Sequence, residues 1–133
     1  MCANLIITEV YYDGTDEWIE ISNIEGTDFH GPLTIVGAKS SPINLSNILI
    51  PSGTSRIFGD SMSMIADSSP IIASGLAMSI SDTSAINLSI SSSGETLDTF
   101  AISAVDVSTY DNTKTSFARA YNNGILQIVS TCT

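Results

Sequence analysis

Positive charge is scarce in this chain. Only four lysines and arginines stand against fourteen aspartates and glutamates, so the formal net charge is −10 and the pI is about 4.1. A field of this sign repels nucleic acids and anionic membrane surfaces. The composition therefore argues against a nucleic-acid partner, and it leaves solubility, a bound cation or a basic protein partner as explanations of the acidity.

Histidine, catalytic motifs and long apolar runs are also scarce. His30 is the only histidine, whereas zinc sites need several His or Cys ligands. The chain has no G-x-S-x-G motif, no G-x-G-x-x-G motif and no P-loop. No apolar run reaches the roughly 18 residues that a membrane span requires. We therefore expect residues 1–133 to form one domain with a single core, with no enzymatic activity and no membrane span.

Cysteine occurs only at the two ends of the sequence, as Cys2 and Cys132. A disulfide between them would place the protein in an oxidising compartment and would need their Cα atoms within about 7 Å. Lipid modification of Cys2 is a second interpretation, and two unmodified thiols are a third. We favour the disulfide, while the sequence leaves all three open.

The opening of the chain predicts a β-hairpin. A β-branched and aromatic run, Leu5–Tyr12, ends at Asp13-Gly14, which accepts turn geometry. In the second run, Trp18–Ile24, isoleucines alternate with Glu20 and Ser22, the period-2 pattern of a strand with one buried face. This pattern indicates the start of an all-β domain.

The rest of the chain continues in short strand-like runs with turn signals every 8 to 12 residues, which is typical of a sandwich or barrel. No convincing helix is expected, and Ser61–Ala77 is left as a strand or a single helical turn. The further predicted strands are Pro32–Val36, Ile43–Ile50, Thr54–Phe58, Ser84–Ile90, Glu95–Ser103, and a last hairpin of Thr115–Tyr121 and Ile125–Val129 around Asn122-Asn123-Gly124. The total is about nine short strands.

Several of these segments resemble the lamin tail domain family. The run ITEVYYDGTDEWIEISN, Ile7–Asn23, is similar to the family's opening strand, acidic loop and E-W-I/V-E-L/I-x-N block. Ile50-Pro51-Ser52-Gly53 resembles its I-P-x-G turn, and Ile86–Phe100 resembles its later strand, glycine turn and strand carrying Asp. Ser116-Phe117-Ala118-Arg119 resembles its late S-x-x-R. The resemblance implies an all-β, immunoglobulin-like β-sandwich over residues 1–133.

The same resemblance implies a role. Members of the secreted bacterial type accompany surface hydrolases and nucleases, so we expect a secreted or cell-surface, non-catalytic module that attaches to a protein or surface ligand. The chain departs from the family at Pro32-Leu33-Thr34, where a second tryptophan is usual, and it lacks the basic surface of nuclear lamins. A structural or self-assembling domain, monomeric or weakly associated through sheet edges rich in Ser, Thr and Ile, is the alternative.

Five residues are expected to hold the fold together. Glu9 and Glu20 lie on adjacent strands of the predicted hairpin, and two close carboxylates need a cation between them. Arg119 is the natural candidate for that cation, with a metal ion as the alternative. Trp18 is expected in the core, and Asn23 matches the last position of the family's opening block.

Two further groups are candidate binding residues. Tyr11, Tyr12 and Tyr110 are expected to form an exposed aromatic patch for a ligand. The acidic turn that contains Asp13, Asp16 and Glu17 is a candidate Ca²⁺ site, although a solvated hairpin tip explains it as well. A weaker candidate of the same kind comprises Asp106, Asp111 and Asn112. Apart from Ca²⁺, no cofactor is expected.

Overall fold

The opening hairpin forms as its alternation predicts. In the computed structural model, which describes residues 5–12, 17–24, 26–60, 71–80, 84–110, 116–118, 121–122 and 125–126, the first two strands pair antiparallel. Their Cα partners run from Leu5 opposite Asn23 to Tyr11 opposite Trp18. Ile19 and Ile21 are fully buried, and Glu20 between them is not.

The strands follow one another along the chain with one short helix. In order they are β1 (Leu5–Tyr11), β2 (Trp18–Asn23), β3 (Phe29–Val36), β4 (Ile43–Ile50), β5 (Ser55–Gly59), β6 (Ile71–Ala73), β7 (Ile86–Ser92), β8 (Glu95–Ile102), α1 (Ala104–Thr109), β9 (Phe117–Ala118), β10 (Tyr121–Asn122) and β11 (Ile125–Leu126). This confirms the expected all-β sandwich.

Two sheets make the sandwich. The five-stranded sheet has the order β6-β5-β2-β1-β9, and the four-stranded sheet has the order β4-β3-β7-β8. Neighbouring strands are antiparallel except β5 and β6, which are parallel. β10 and β11 form a separate two-stranded ladder in which Asn122 pairs with Ile125. The predicted last hairpin is therefore only partly right, because its predicted first arm, Thr115–Tyr121, contains β9, which pairs with β1 instead.

The core lies between the two sheets and is almost entirely aliphatic. Alternate residues of the long strands face inward, so apolar side chains from both sheets form one continuous cluster. Its fully buried members include Ile7, Val10, Tyr12, Ile19, Ile21, Leu33, Ile35, Ile50, Phe58, Ile90 and Val107. Burial of this apolar surface is the main favourable contribution to folding.

The predicted start of the third strand and the expected absence of a helix are both wrong. β3 begins at Phe29 and runs through Pro32, which was expected to start the strand. Pro32 falls where the register with β4 shifts between Gly31 and Leu33, a bulge that tolerates a residue without an N–H donor. The helix α1 was not expected. Ser103 caps it by accepting a hydrogen bond from the Asp106 N–H at 3.2 Å, and its six residues are too few for a periodic signal.

The outer edge of the four-stranded sheet bears on self-association. β4 is the edge strand, and it contains no charged residue and no proline. However, Asn47 within it has a positive φ of 56° where the register with β3 shifts, so the edge is interrupted in its middle. Such a bulge limits the pairing of an edge strand with another chain.

Among the described residues, no helix is long and apolar enough to cross a membrane.

Gly37 ends β3 at a place where no side chain fits. Its φ is +97°, and a Cβ atom there would lie far inside van der Waals contact of the backbone oxygen of Asn87 on β7. Gly53 also has a positive φ, of +77°, but a Cβ atom there would meet nothing within 4 Å. The two glycines therefore separate the cost of the backbone conformation from the cost of the clash.

We expect Gly37→Ala to lower the free energy of unfolding by about 3 kcal/mol or more, since a left-handed residue costs about 1–2 kcal/mol and overpacking adds about 1–3 kcal/mol. Gly53→Ala should lower the free energy of unfolding only by the cost of the left-handed backbone, about 1–2 kcal/mol. Urea unfolding of both variants measures the difference. Equal losses in the two variants would contradict the close packing of β3 against β7.

Candidate functional site

The outer face of the five-stranded sheet carries a polar patch. The register between β1 and β2 shifts at Ile7 and Glu9, so Thr8 is the extra residue of a β-bulge. Beyond the bulge, Glu9 faces Glu20 directly across the hairpin. The hairpin therefore brings the two predicted glutamates together, with Thr8 beside them.

A chain of hydroxyl groups crosses this patch. The Thr8 hydroxyl donates to Glu20 Oε1 at 2.6 Å. Thr8 Oγ1 lies 2.9 Å from Ser22 Oγ, and Ser22 Oγ lies 2.6 Å from Ser55 Oγ on β5. This row of hydrogen-bonded hydroxyl groups thus links β1, β2 and β5, and it ends at the Glu20 carboxylate. Hydrogen bonds of this kind hold the side chains in fixed positions on the sheet.

An open cleft of about 430 Å³ lies over the patch. Its walls come from β1, β2 and β9 and from the turn between β4 and β5. The residues that line it are Thr8, Glu9, Glu20, Ser22, Asn23, Ile24, Gly53, Thr54, Ser55 and Ala118. Its lining combines the carboxylates of Glu9 and Glu20 and several hydroxyl groups with a nearly equal share of apolar surface.

Glu9 lies on the β9 side of the cleft. The Ser116 hydroxyl donates to Glu9 Oε2, and Glu9 is the register partner of Ala118. Arg119, the expected counter-ion of the two glutamates, follows Ala118 in the sequence and lies outside the described residues. Arg56 on β5 does not line the cleft, and it donates from Nη1 to the Ser55 carbonyl at 2.8 Å.

Asn23 ties the end of the cleft to the turn after β4. Its side-chain Nδ2 donates to the carbonyls of Thr27 at 2.9 Å and Ile50 at 3.0 Å. Its backbone N–H donates to the Thr54 carbonyl, and its carbonyl accepts from Gly53. Asn23 Oδ1 is buried and accepts no hydrogen bond from the described part of the chain. An amide is needed here, because only its NH₂ group can serve two carbonyls.

The predicted aromatic patch is wrong. Tyr11 and Tyr12 are successive residues with side chains on opposite faces of the sheet, and both are buried. Tyr11 stacks on Trp18 with ring centroids 5.8 Å apart, and the Tyr12 hydroxyl donates to the Val107 carbonyl at 2.8 Å. Of the three tyrosines only Tyr110, at 42% exposure, is accessible, and it contacts Phe117 edge-on.

Trp18 is buried at 3% exposure, but on the outer side of its sheet rather than between the sheets. It forms a small separate cluster with Tyr11 and Ile57. Because Tyr11 and Trp18 are register partners on neighbouring strands, their rings meet on the same face. The alternation of β2 explains this position, since Ile19 and Ile21 occupy the inner face.

The carboxylate of Glu17 faces the backbone rather than open solvent. Glu17 is 6% exposed, and its Oε2 accepts a hydrogen bond from the Ile80 N–H at 2.9 Å. Asp13 and Asp16, the other proposed Ca²⁺ ligands, lie outside the described residues. In the part of the chain that is described, no group of three or more His, Cys, Asp or Glu residues is placed to hold a metal ion.

The remaining sequence candidates fall elsewhere. Asp106 is exposed in the first turn of α1, and its proposed companions Asp111 and Asn112 are not among the described residues. Cys2 and Cys132 are also outside them, so the disulfide stays a prediction. His30 is exposed on β3 opposite Leu49, in the four-stranded sheet, whereas Glu9 and Glu20 lie in the other sheet.

Asp98 is the buried carboxylate that sequence reasoning did not single out as a site residue. It is 1% exposed on β8, and its Oδ2 accepts a hydrogen bond from the Ile7 N–H of β1 at 2.7 Å. The contact joins the two sheets along one side of the sandwich. The available signal was an Asp within an alternating strand at a position that should face inward.

Comparison with known proteins adds no family to this description: no protein-family model matches the chain, and no curated protein matches it. The resemblance to the lamin tail domain therefore stays a prediction that depends on the residues quoted above.

Asp98→Ala should lower the free energy of unfolding by about 1–3 kcal/mol, because it removes the buried hydrogen bond between the Ile7 N–H and the Asp98 carboxylate. Glu95→Ala, on the same strand but exposed, is the matched control and should change it by less than about 0.5 kcal/mol. Urea unfolding monitored by Trp18 fluorescence gives both values. A loss at Asp98 no larger than that at Glu95 would contradict the role of this contact.

Proposed function

We propose that the chain is a non-catalytic attachment module, secreted or displayed at a cell surface and related to lamin tail domains, and that it binds its ligand in the cleft on the five-stranded sheet. The cleft itself carries this proposal. Its volume of about 430 Å³ lies within the range of about 300–1,000 Å³ that is usual for sites that bind small ligands or single side chains.

The way in which the cleft is built supports a binding role. Thr8, Glu20, Ser22 and Ser55 stand on three paired strands, and hydrogen bonds join their side chains. Side chains that are fixed before the ligand arrives lose little conformational entropy when it binds. A site on rigid strands is also positioned more exactly than a site on loops.

The chemistry of the site supports attachment rather than catalysis. The lining offers carboxylates and hydroxyls, and the single histidine of the chain stands in the other sheet. A hydroxyl nucleophile needs a neighbouring base that removes its proton, and the base is usually histidine. The row of hydroxyl groups ends at the Glu20 carboxylate, and its hydrogen bonds hold the carboxylate and hydroxyl oxygens of the cleft in place as acceptors.

The test is binding to a printed array of defined peptides and glycans, with the fluorescently labelled domain as the probe. Ala118→Trp fills the cleft from an exposed position on β9, and Ala101→Trp adds the same side chain at an exposed position on β8 of the other sheet. We expect the native chain and Ala101→Trp to bind the same spots and Ala118→Trp to lose at least about nine-tenths of the signal.

Two results would overturn the proposal. One is an array on which the native chain binds no spot. The other is a set of spots that Ala118→Trp binds as strongly as the native chain does, which would place the binding surface outside the cleft. Circular dichroism of both tryptophan variants verifies that they are folded.

A further inference from the structure

We infer that the outward side of the four-stranded sheet is an interaction surface for a second copy of this chain. We call this side, which β3, β4, β7 and β8 form, the uncharged face. It lies on the sheet opposite the cleft and is independent of the proposed function. Its charge, its side chains and its area each favour self-association into a weak dimer.

The uncharged face stands out in so acidic a chain. The structure describes β3, β4, β7 and β8 throughout, and these strands contain two acids and no lysine or arginine. One acid, Asp98, is buried between the sheets. The other, Glu95, begins β8 next to the turn and, by alternation, points away from the side that Thr96 occupies. His30, near the start of β3, is the one titratable group that these strands place on the face.

Short side chains fill the uncharged face. Register and alternation place them in rows across the strands: Asn44, Thr34, Ser91 and Thr96 form one row, and Val36, Ser89 and Thr99 form the next. The Thr34 hydroxyl donates to Asn44 Oδ1 at 3.0 Å, which orders part of the first row. Side chains of this length lose less conformational entropy in an interface than lysine, arginine or glutamate would. The face is therefore suited to close contact with another flat sheet.

Two exposed apolar side chains add to the uncharged face. Val36 is 42% exposed on β3, and Leu49 is 45% exposed on β4, where it is the register partner of His30. Both lie on the outward side, because their neighbours Ile35 and Ile50 are buried between the sheets. Removal of this apolar surface from water favours association.

Electrostatic repulsion directs a second copy to the uncharged face. Two chains of net charge −10 repel each other in most orientations. If two copies met through their five-stranded sheets, Glu9 and Glu20 of both copies would be brought together. Charged residues are depleted at the core of protein interfaces, as they are on the uncharged face. Of the two outward sheet faces, the uncharged face is therefore the one on which two copies touch without opposing acids.

The edges of the four-stranded sheet offer a second copy less than the face does. β4, one edge strand, is interrupted at Asn47. β8, the other edge strand, lies beside β1, because the Asp98 carboxylate accepts a hydrogen bond from the Ile7 N–H. Edge-to-edge pairing is therefore limited on both sides, and the broad face between the edges remains.

The area of the uncharged face is sufficient for a weak dimer. Its four strands have seven or eight residues each. At about 3.3 Å per residue and about 4.8 Å between strands, they cover about 500 Å². Two copies would bury about 1,000 Å² in total, which lies at the lower limit of specific interfaces and in the range of weak, transient ones.

A dimer of this kind leaves the cleft of each copy open. The cleft lies on the outward side of the five-stranded sheet, so the two clefts of the dimer face in opposite directions. Together with the proposed attachment role, this geometry would let a dimer join two partners that carry the ligand.

The experiment is sedimentation equilibrium of the native chain over a concentration series up to about 1 mM, where even weak dimers form. We expect a monomer–dimer equilibrium that strengthens as NaCl is raised, because salt screens the repulsion between two copies of net charge −10. In ¹⁵N NMR spectra recorded on dilution, shift changes should be concentrated at Thr34, Ser89 and Ser91.

A matched pair of variants tests the location of the contact. Ser89→Asp places an acid in the second row of the uncharged face and should weaken the dimer about tenfold or more, because like charges then oppose each other across the interface. Ser74→Asp adds the same acid at an exposed position after β6, the edge strand of the other sheet, and should associate as the native chain does. Circular dichroism verifies that both variants are folded, and the NMR dilution series of the native chain locates the contact without them.

Four results would overturn the inference. One is a native chain that stays monomeric up to about 1 mM. Another is association that weakens as NaCl is raised, or that both variants weaken equally. A third is a set of dilution shifts that lies outside the uncharged face. The fourth is a monomeric chain that binds insoluble cellulose and loses this binding in Ser89→Asp, which would identify a neutral polysaccharide as the partner of the face.

Discussion

Hydrogen bonds from backbone N–H groups to carboxylate side chains are the interaction on which this sandwich depends. Among the described residues β9 pairs with β1 at Glu9 and Val10, and further along β1 the Asp98 carboxylate of the other sheet accepts a hydrogen bond from the Ile7 N–H. In the same way, the Glu17 carboxylate accepts a hydrogen bond from the Ile80 N–H. A buried N–H without an acceptor would cost about 1–3 kcal/mol, so each of these carboxylates secures a piece of the backbone.

The segment that follows β6 is also held by hydrogen bonds from its backbone N–H groups. Residues 74–80 have no regular strand pairing, yet they lie across the sandwich from one sheet to the other. Asp60 accepts the Met78 N–H through its side chain, and its carbonyl accepts the Gly75 N–H at 2.7 Å. At the far end, Ser79 donates to the Ala38 carbonyl at 2.6 Å. With Met78 and Ile80 buried in the core, these contacts fix a segment that carries no pairing partner of its own.

The acidic composition therefore has two origins in the fold. One set of carboxylates is buried and holds backbone amides, and the other set, Glu9 and Glu20, is partly exposed at the cleft. The first set explains how a chain of net charge −10 can place acids in its interior without a matching number of bases. The second set lines the cleft on the five-stranded sheet.

Much of the fold could be predicted from the sequence, because alternation and turn residues are local signals. The hairpin of β1 and β2 follows from isoleucines at every second position. The bounds of β4 follow from its apolar run and from the turn residues Pro51-Ser52-Gly53. The turn between β7 and β8 consists of Ser93 and Gly94, with φ of 50° and 84°, the geometry of a two-residue type I′ turn.

The cleft could be predicted only in part. Cross-strand register placed Glu9 opposite Glu20, but the bulge that adds Thr8 to the patch has no sequence signal of its own. Ser22 and Ser55 come together because β2 pairs with β5, a contact between residues 33 positions apart. Tyr11 and Tyr12 were misjudged for a similar reason, since their burial depends on Trp18 and on α1, which other parts of the chain supply.

Amide hydrogen exchange tests the central role of the buried carboxylates most directly. The N–H groups of Ile7, Met78 and Ile80 are each bonded to a carboxylate, and we expect them to exchange as slowly as the amides paired within β1 and β2. Exchange at Met78 and Ile80 as fast as at the amide of an exposed loop residue such as Ser40, while the strand amides stay protected, would contradict the account.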